Sequence, residues 1–236
     1  MRKTLQLSLM AVFAALHATL YFVSSGLGLW RNWGIYLEAI EGIVLGPKIG
    51  FVAALLGSSI ARMVRPDDLW MFGIIAEPIS VLMAGFLAQG KWKPVAASYG
   101  IMLAAYFIHP FGRDLPLWTI LDVLLAFLLI YPAAKLGKHL MKREIKSLSL
   151  TMVLIAFVTI ATDSLVRIFL LVPCSLHSLF FPSFEVLSFV FVTSAVSSYV
   201  EDLLVVFVSL VVGVPLLKIL SRFLKEKGKD AHCGNS

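Results

Sequence analysis

The sequence predicts an all-α integral membrane protein, a polytopic bundle of about six to eight transmembrane helices with both termini in the cytoplasm. Hydrophobic residues make up 59% of the 236 residues and charged residues only 14%, with a mean hydropathy of +0.91. Soluble domains carry roughly 25% charged residues. The apolar runs are about 20 residues long, which is the length that a helix needs to cross a bilayer.

Eight apolar segments are candidates for membrane helices. They cover residues 4–24, 34–45, 49–64, 69–88, 95–109, 116–134, 150–172 and 187–217. We expect residues 1–222 to form a single transmembrane domain and residues 223–236 to form a polar cytoplasmic tail. The short basic start before the first apolar run is also typical of a signal peptide, but the many later spans favour an uncleaved first helix.

Residues 34–65 form the stretch around which the chain is organised. Gly46-Pro47 is a strong local break in it, which allows either two short helices joined by a turn at residues 46–48 or one long kinked helix. A single helix of about 30 residues would be ~45 Å long. That length exceeds a ~30 Å membrane crossing unless the helix tilts strongly.

The distribution of basic residues favours the two-helix interpretation. With the N-terminus inside, fifteen Lys and Arg residues fall on the cytoplasmic side and four fall outside. If residues 34–64 formed a single crossing, every later loop would change side. Only five Lys and Arg residues would then lie inside, against thirteen outside. Cytoplasmic loops carry an excess of Lys and Arg, so the turn at residues 46–48 is predicted to be cytoplasmic.

Ionisable side chains occur within the apolar segments, where they are costly and usually face a bundle interior or a cavity. They are Glu38, Glu41, Glu77, Asp122, Asp163, Arg167, Glu201 and Asp202. Glu38 and Glu41 are three residues apart and therefore share a helix face. Asp163 and Arg167 are four residues apart, so they either pair with each other structurally or bind substrate; the sequence leaves both open.

Aromatic residues are distributed unequally between the two sides of the membrane. Trp30, Trp33, Trp70 and Trp118 fall on the predicted outer side, whereas an ordinary aromatic belt occupies both interfaces. This asymmetry indicates an outward-facing aromatic pocket, which suits a small heterocyclic ligand. The candidate substrate-binding residues are Trp30, Trp33, Glu38, Glu41, Arg62, Trp118, Asp122 and Arg167.

Motifs of the common enzyme classes are missing from the sequence. It has no HExxH, GxSxG, GxxxxGK[ST] or GxGxxG pattern, so we expect no catalytic residues, no cofactor, no metal site and no ATP hydrolysis by this chain. The net charge of +6 lies in loops and in the tail, and we expect no nucleic-acid partner. A self-sufficient ion-coupled transporter or channel stays an alternative, and an intramembrane enzyme is less favoured.

The first helix carries alanines at four-residue spacing. Ala11 and Ala15, and likewise Ala14 and Ala18, form small-xxx-small pairs. Such pairs create a flat surface on which another membrane helix packs. The partner helix belongs either to another protein or to the same bundle.

Residues 5–90 resemble a substrate-binding S component of an energy-coupling factor (ECF) transporter. The resemblance rests on the alanine-patterned first helix after Met1-Arg2-Lys3, on the Leu-Gly-Pro-x-x-Gly pattern of residues 45–50, and on the small residues of the following helix. It implies a vitamin-binding protein of the plasma membrane that captures its ligand from outside and works with a transmembrane coupling subunit and two ATPases.

The resemblance also implies roles for particular residues. Ala11, Ala14, Ala15 and Ala18 would contact the coupling subunit, and the first outer loop, residues 26–33, would cover the ligand. Members of that family usually have six helices, whereas eight segments are counted here. The chain lacks the Met-His start of the nickel and cobalt members, so no metal substrate is implied.

Overall fold

The computed structural model describes residues 3–26, 32–66, 69–138, 140 and 145–220, and within these ranges all regular structure is helical. The helices are α1 (Lys3–Gly26), α2 (Glu38–Leu45), α3 (Pro47–Val64), α4 (Trp70–Ala88), α5 (Trp92–Ile108), α6 (Pro110–Asp114), α7 (Leu121–Gly137), α8 (Ile145–Leu171) and α9 (Phe184–Val208). Helix α9 continues through a π-helical turn, Ser209–Gly213, to residue 220. The predicted all-α fold class is confirmed.

Six of the described helical segments are long and apolar enough to cross a membrane. They are Thr4–Ser24, Pro47–Val64, Met71–Ala88, Leu117–Gly137, Leu148–Leu171 and Phe184–Leu220. The chain is therefore a multi-pass membrane protein. The other two predicted segments are shorter: residues 34–45 lie in a 3₁₀ turn, Trp33–Leu37, followed by the eight-residue α2, and residues 95–108 lie in the 17-residue α5, which ends before His109.

Helices α2 and α3 fold back on each other at Gly46. This residue has a φ of +77°, a conformation that favours glycine, and Pro47 occupies the first turn of α3. A Cβ atom at Gly50 would lie 3.5 Å from the Cα atom of Gly42, although eight residues along one helix are ~12 Å apart. The predicted division into two helices is confirmed and a single kinked helix is excluded, but α2 has only eight residues and is not among the segments long enough to cross a membrane.

The turns between helices collect at two opposite ends of the bundle. At the end that we call the lysine end, Gly85 lies against the backbone of Pro47 and Gly90 against the side chain of Lys138. The exposed lysines of this end are Lys48, Lys91, Lys93, Lys135 and Lys138.

At the other end, which we call the aromatic end, the Tyr21 hydroxyl donates to the Arg65 carbonyl over 2.7 Å. The ring of Phe111 packs there against His177 and Phe184. The positive-inside rule predicts that the lysine end is cytoplasmic.

Helices α4 and α8 form the centre of the bundle, since more of their residues are buried than in any other described span. Small residues allow the neighbouring helices to approach them closely, as is usual where lipid provides no hydrophobic drive for helix association. Gly42 of α2 lies directly against Val81 and Ala84 of α4, and Gly57 of α3 lies against α1. Helices α1, α2, α3, α4 and α8 consequently bring their polar side chains together inside the bundle.

Candidate functional site

Glu77 of α4 is fully buried and is the centre of a cluster of polar side chains. Its Oε2 atom accepts hydrogen bonds from His17 Nε2 (2.9 Å) and Arg62 Nη1 (3.0 Å). Its Oε1 atom accepts hydrogen bonds from Asn32 Nδ2 (2.8 Å), from Arg62 Nη2 and from Arg167 Nη2 (3.4 Å). Every group that faces this carboxylate is a donor, so Glu77 is ionised.

Glycines make room for the side chains of His17 and Arg62 beside Glu77. A Cβ atom at Gly73, one helical turn before Glu77, would collide with the Arg62 guanidinium. A Cβ atom at Gly57 would lie 2.8 Å from His17 Cβ, and one at Gly34 would lie 2.8 Å from His17 Nε2. The small residues that the sequence places on these helices thus serve the polar cluster as well as helix packing.

Two further carboxyl groups enter the cluster from α2, and both Glu38 and Glu41 have 0% exposure. Glu41 Oε2 lies 3.4 Å from His17 Nδ1. Glu38 Oε2 lies 2.6 Å from the Ser80 hydroxyl of α4, and that hydroxyl also lies 2.8 Å from the Glu77 carbonyl oxygen. The second oxygen of each glutamate, Oε1, has no hydrogen-bond partner among the described residues.

Asp163 and Arg167 of α8 form an ion pair along their helix. Arg167 Nε donates to Asp163 Oδ2 over 2.6 Å, and Nη2 donates to Oδ1 over 3.2 Å. We refer to these residues together as the buried polar network: His17, Asn32, Glu38, Glu41, Arg62, Glu77, Ser80, Asp163 and Arg167.

A cavity of about 170 Å³ lies next to the network, between α4, α7, α8 and α9. Its polar lining residues are Thr119, Asp122, Ser164, Arg167, Ser194 and Ser198, and its aromatic ones are Phe72, Phe181 and Phe191. Arg167 belongs to both the cavity and the network, because it lines the cavity and also donates to Glu77. Its side chain is 26% exposed, whereas that of Glu77 is fully buried. A largely apolar lining with a few convergent polar groups is typical of small-molecule sites, and a volume below the ~300–1,000 Å³ usual for drug-sized ligands restricts this one to a compact compound.

The predicted substrate-binding residues divide between these two places. Asp122 and Arg167 line the cavity. Glu38, Glu41 and Arg62 are instead buried in the network, where Arg62 pairs with Glu77.

Of the predicted aromatic pocket, Trp33 and Trp118 do not line this cavity. Trp118 is exposed, and its carbonyl accepts a hydrogen bond from Tyr199. Trp33 is half-buried at the end of α1, where its backbone N–H donates to Ser24 Oγ over 3.1 Å. Phenylalanines supply the aromatic walls instead. Trp30, most of the predicted covering loop and the predicted tail lie outside the described residues.

The four alanines predicted to bind a partner do not form one exposed face. Ala11 and Ala15 are exposed and Ala18 is half-buried, whereas Ala14 is buried, and its carbonyl lies close to Gly57 of α3. Ala14 therefore packs within the bundle. The surface left for another protein consists of Ala11, Ala15 and the exposed part of Ala18.

Several network residues were not among the predicted site residues, namely His17, Asn32, Glu77, Ser80 and Asp163. Charge matching would have indicated part of this set, because buried acids require buried cations. Apart from Arg167, the apolar segments contain few cations, and His17 and Arg62 are two of them. Which acid each cation meets depends on helix packing, and helical periodicity within one segment carries no information about that.

Comparison with known proteins gives one relative. An uncharacterised protein of Methanocaldococcus jannaschii is 28% identical to this chain over 131 residues, which are 55% of this chain and 44% of the relative. The chain thus spans less than half the length of that protein. No family model and no solved structure matches the chain.

Proposed function

We propose that the chain is the substrate-binding membrane subunit of an uptake system for a vitamin or related small micronutrient. In this proposal it resides in the plasma membrane, has no catalytic activity of its own, and works with an ECF coupling subunit and two ATPases. The observation that supports it best is the cavity lined by Arg167 and Asp122, which lies toward the aromatic end of the bundle. Topology predicts that this end faces outward, which suits capture from outside.

The lining of the cavity defines the kind of ligand it fits. Arg167 uses Nε and Nη2 for Asp163 and Glu77, and Nη1 has no hydrogen bond to a described residue. A guanidinium with a free N–H binds a carboxylate or another strong acceptor well. The phenylalanine walls suit a flat apolar body. The expected ligand is therefore a compact ring compound that carries an acceptor or anionic group.

The test is mass spectrometry of small molecules that co-purify with the detergent-solubilised protein. We expect one vitamin-like compound in the wild type and its loss in Arg167→Gln, because the guanidinium is removed from the cavity. Arg113→Gln is the matched control, since Arg113 is exposed and does not line the cavity. Empty wild-type protein that no member of a vitamin panel stabilises thermally would contradict the proposal, because any ligand specific for the folded state raises its stability.

An ion-coupled secondary transporter is the second candidate, and the buried polar network is the observation that favours it. Ionisable residues inside membrane proteins frequently mark proton or ion pathways. This alternative predicts that the chain alone, reconstituted in vesicles, accumulates the co-purifying compound and that an ionophore abolishes the accumulation. The subunit proposal predicts no accumulation until the coupling subunit and the ATPases are added.

A further inference from the structure

We infer that the lysine end of the bundle binds the phosphate group of an anionic phospholipid, at the place where the turn between α4 and α5 meets the end of α7. The four lysines of this place, which we call the basic patch, are Lys91, Lys93, Lys135 and Lys138. The inference goes beyond the proposed uptake function, because the cavity lies toward the opposite end of the bundle. Two independent observations carry it: the charge of the basic patch and the polarity of the exposed surface of α7 beside it.

Contacts between neighbouring helix ends bring the lysines of the basic patch together. A Cβ atom at Gly90, the residue before Lys91, would lie 2.9 Å from Lys138 Cβ. The ring centroids of Trp92 and Tyr131 are 5.8 Å apart, which joins the first turn of α5 to the last part of α7. The other two lysines follow these aromatic residues, one residue after Trp92 and one helical turn after Tyr131. Four positive charges therefore lie close together on one side of the lysine end.

No exposed acid balances the basic patch within the described residues. All four lysines of the patch are exposed. The exposed acids of the described residues are Asp114 and Glu185, and both belong to the aromatic end. Like charges that lie close together repel each other, and an excess of one sign destabilises the compact state. A bound anion offsets this repulsion, so charge complementarity favours a negatively charged partner.

The exposed surface of α7 next to the basic patch changes in polarity along its length as a phospholipid does. Leu125, Leu128 and Tyr131 are exposed and follow one another at three-residue spacing, so they lie along one side of the helix. Lys135 continues this side one turn later. Leucine suits the acyl chains, a tyrosine ring suits the membrane–water interface, and lysine suits the phosphate layer. From Leu125 to Lys135 the helix rises by ~15 Å, which is about the hydrocarbon thickness of one leaflet.

This order of side chains favours a lipid over other anions. A free phosphate ion would contact the lysines alone, and an acidic protein in the aqueous phase would not reach the exposed leucines of α7. A lipid contacts the leucines, the aromatic rings and the cations at once. Trp92 is exposed beside Tyr131, and these are the two residue types that are enriched at membrane interfaces. Clusters of about four to eight Lys or Arg residues beside a membrane helix are typical of sites for anionic lipid headgroups, so the basic patch fits such a headgroup.

Thermal unfolding of the protein in a non-ionic detergent tests the inference. The probes are phosphatidylglycerol and phosphatidylcholine with identical acyl chains, which differ in the net charge of the headgroup. With phosphatidylglycerol in about 100-fold excess over its Kd, we expect the Tm to rise by about 5–10 °C. Phosphatidylcholine should raise the Tm much less. Lys91→Gln combined with Lys138→Gln should at least halve the difference between the two lipids, because half of the basic patch is then neutral.

The matched control is Arg65→Gln combined with Arg113→Gln, which removes the same charge from exposed positions at the aromatic end and should leave the effect of phosphatidylglycerol unchanged. Three results would overturn the inference: equal shifts with the two lipids, a full phosphatidylglycerol effect in the lysine variant, or an equal loss of the effect in both double variants. Sodium phosphate at the same phosphate concentration, without lipid, should not shift the Tm. A shift equal to that of phosphatidylglycerol would show that free phosphate binds instead of a lipid. None of these measurements involves the cavity, so their failure would leave the uptake proposal standing.

Discussion

Glu77 connects four separate parts of the chain through one carboxylate. His17, Asn32, Arg62 and Arg167 all donate to it, and these residues come from α1, the turn before α2, α3 and α8. Since buried cations without a counter-ion are strongly destabilising, this residue stabilises both the packing of the helices and the position of Arg167 at the cavity.

Replacing Glu77 by glutamine should therefore destabilise the protein by about 3–5 kcal/mol, because the guanidinium groups of Arg62 and Arg167 lose their shared carboxylate. Thermal or denaturant unfolding of the detergent-solubilised protein measures the change. Asp114→Asn, the same chemical change at an exposed position, should alter stability by less than about 0.5 kcal/mol. Similar unfolding curves for the two variants would show that the network does not stabilise the bundle.

At the scale of elements, the close approach of α1 and α3 determines where His17 lies. Gly57 permits this approach, since a Cβ atom there would lie 2.8 Å from both the Ala14 carbonyl oxygen and His17 Cβ. The backbone of α1 would have to move to accommodate even a methyl group.

Gly57→Ala should accordingly destabilise the protein by about 1–3 kcal/mol through overpacking. Gly100 of α5 offers a matched control, because no atom lies within 4 Å of its hypothetical Cβ. Gly100→Ala should leave stability unchanged or raise it by up to about 1 kcal/mol, as alanine is the better helix former. A neutral Gly57→Ala substitution would contradict the described contact between α1 and α3.

The exposed part of α1 leads to a prediction about partners. Ala11→Trp or Ala15→Trp should abolish uptake by the complete system while ligand affinity of the isolated subunit stays unchanged, because added bulk there blocks only the docking of another helix. Ala14→Trp should instead impair folding, since Ala14 is buried against α3. Lost ligand affinity in isolated Ala11→Trp or Ala15→Trp would contradict the assignment of this surface to a partner.

For the whole molecule, the sequence predicts the helices well and the site only partly. Apolar length locates the membrane segments, and the break at Gly46-Pro47 together with the lysine distribution predicts the fold-back of α2 and α3. Intramembrane charge singles out Asp122 and Arg167, and both line one cavity; that this cavity binds substrate stays a prediction. The role of Glu77 could not be predicted, because its partners lie 15, 45, 60 and 90 residues away along the chain.

The orientation of the molecule can be tested with its own cysteine. Cys174 is exposed in the connection between α8 and α9 at the aromatic end. In a Cys233→Ser background, a membrane-impermeant maleimide should label Cys174 in intact cells, since that end is predicted to be outside. Lys138→Cys in a chain without native cysteines should react only after permeabilisation. The reverse pattern would invert the topology and place the cavity toward the cytoplasm.

An experimental structure of the protein with its co-purified compound would test the central claim most directly. The account predicts that the compound occupies the cavity between α4, α7, α8 and α9, with an acceptor atom within hydrogen-bonding distance, about 3 Å, of the Arg167 guanidinium. A compound bound elsewhere, or a cavity filled by a lipid chain that makes no polar contact with Arg167, would contradict it.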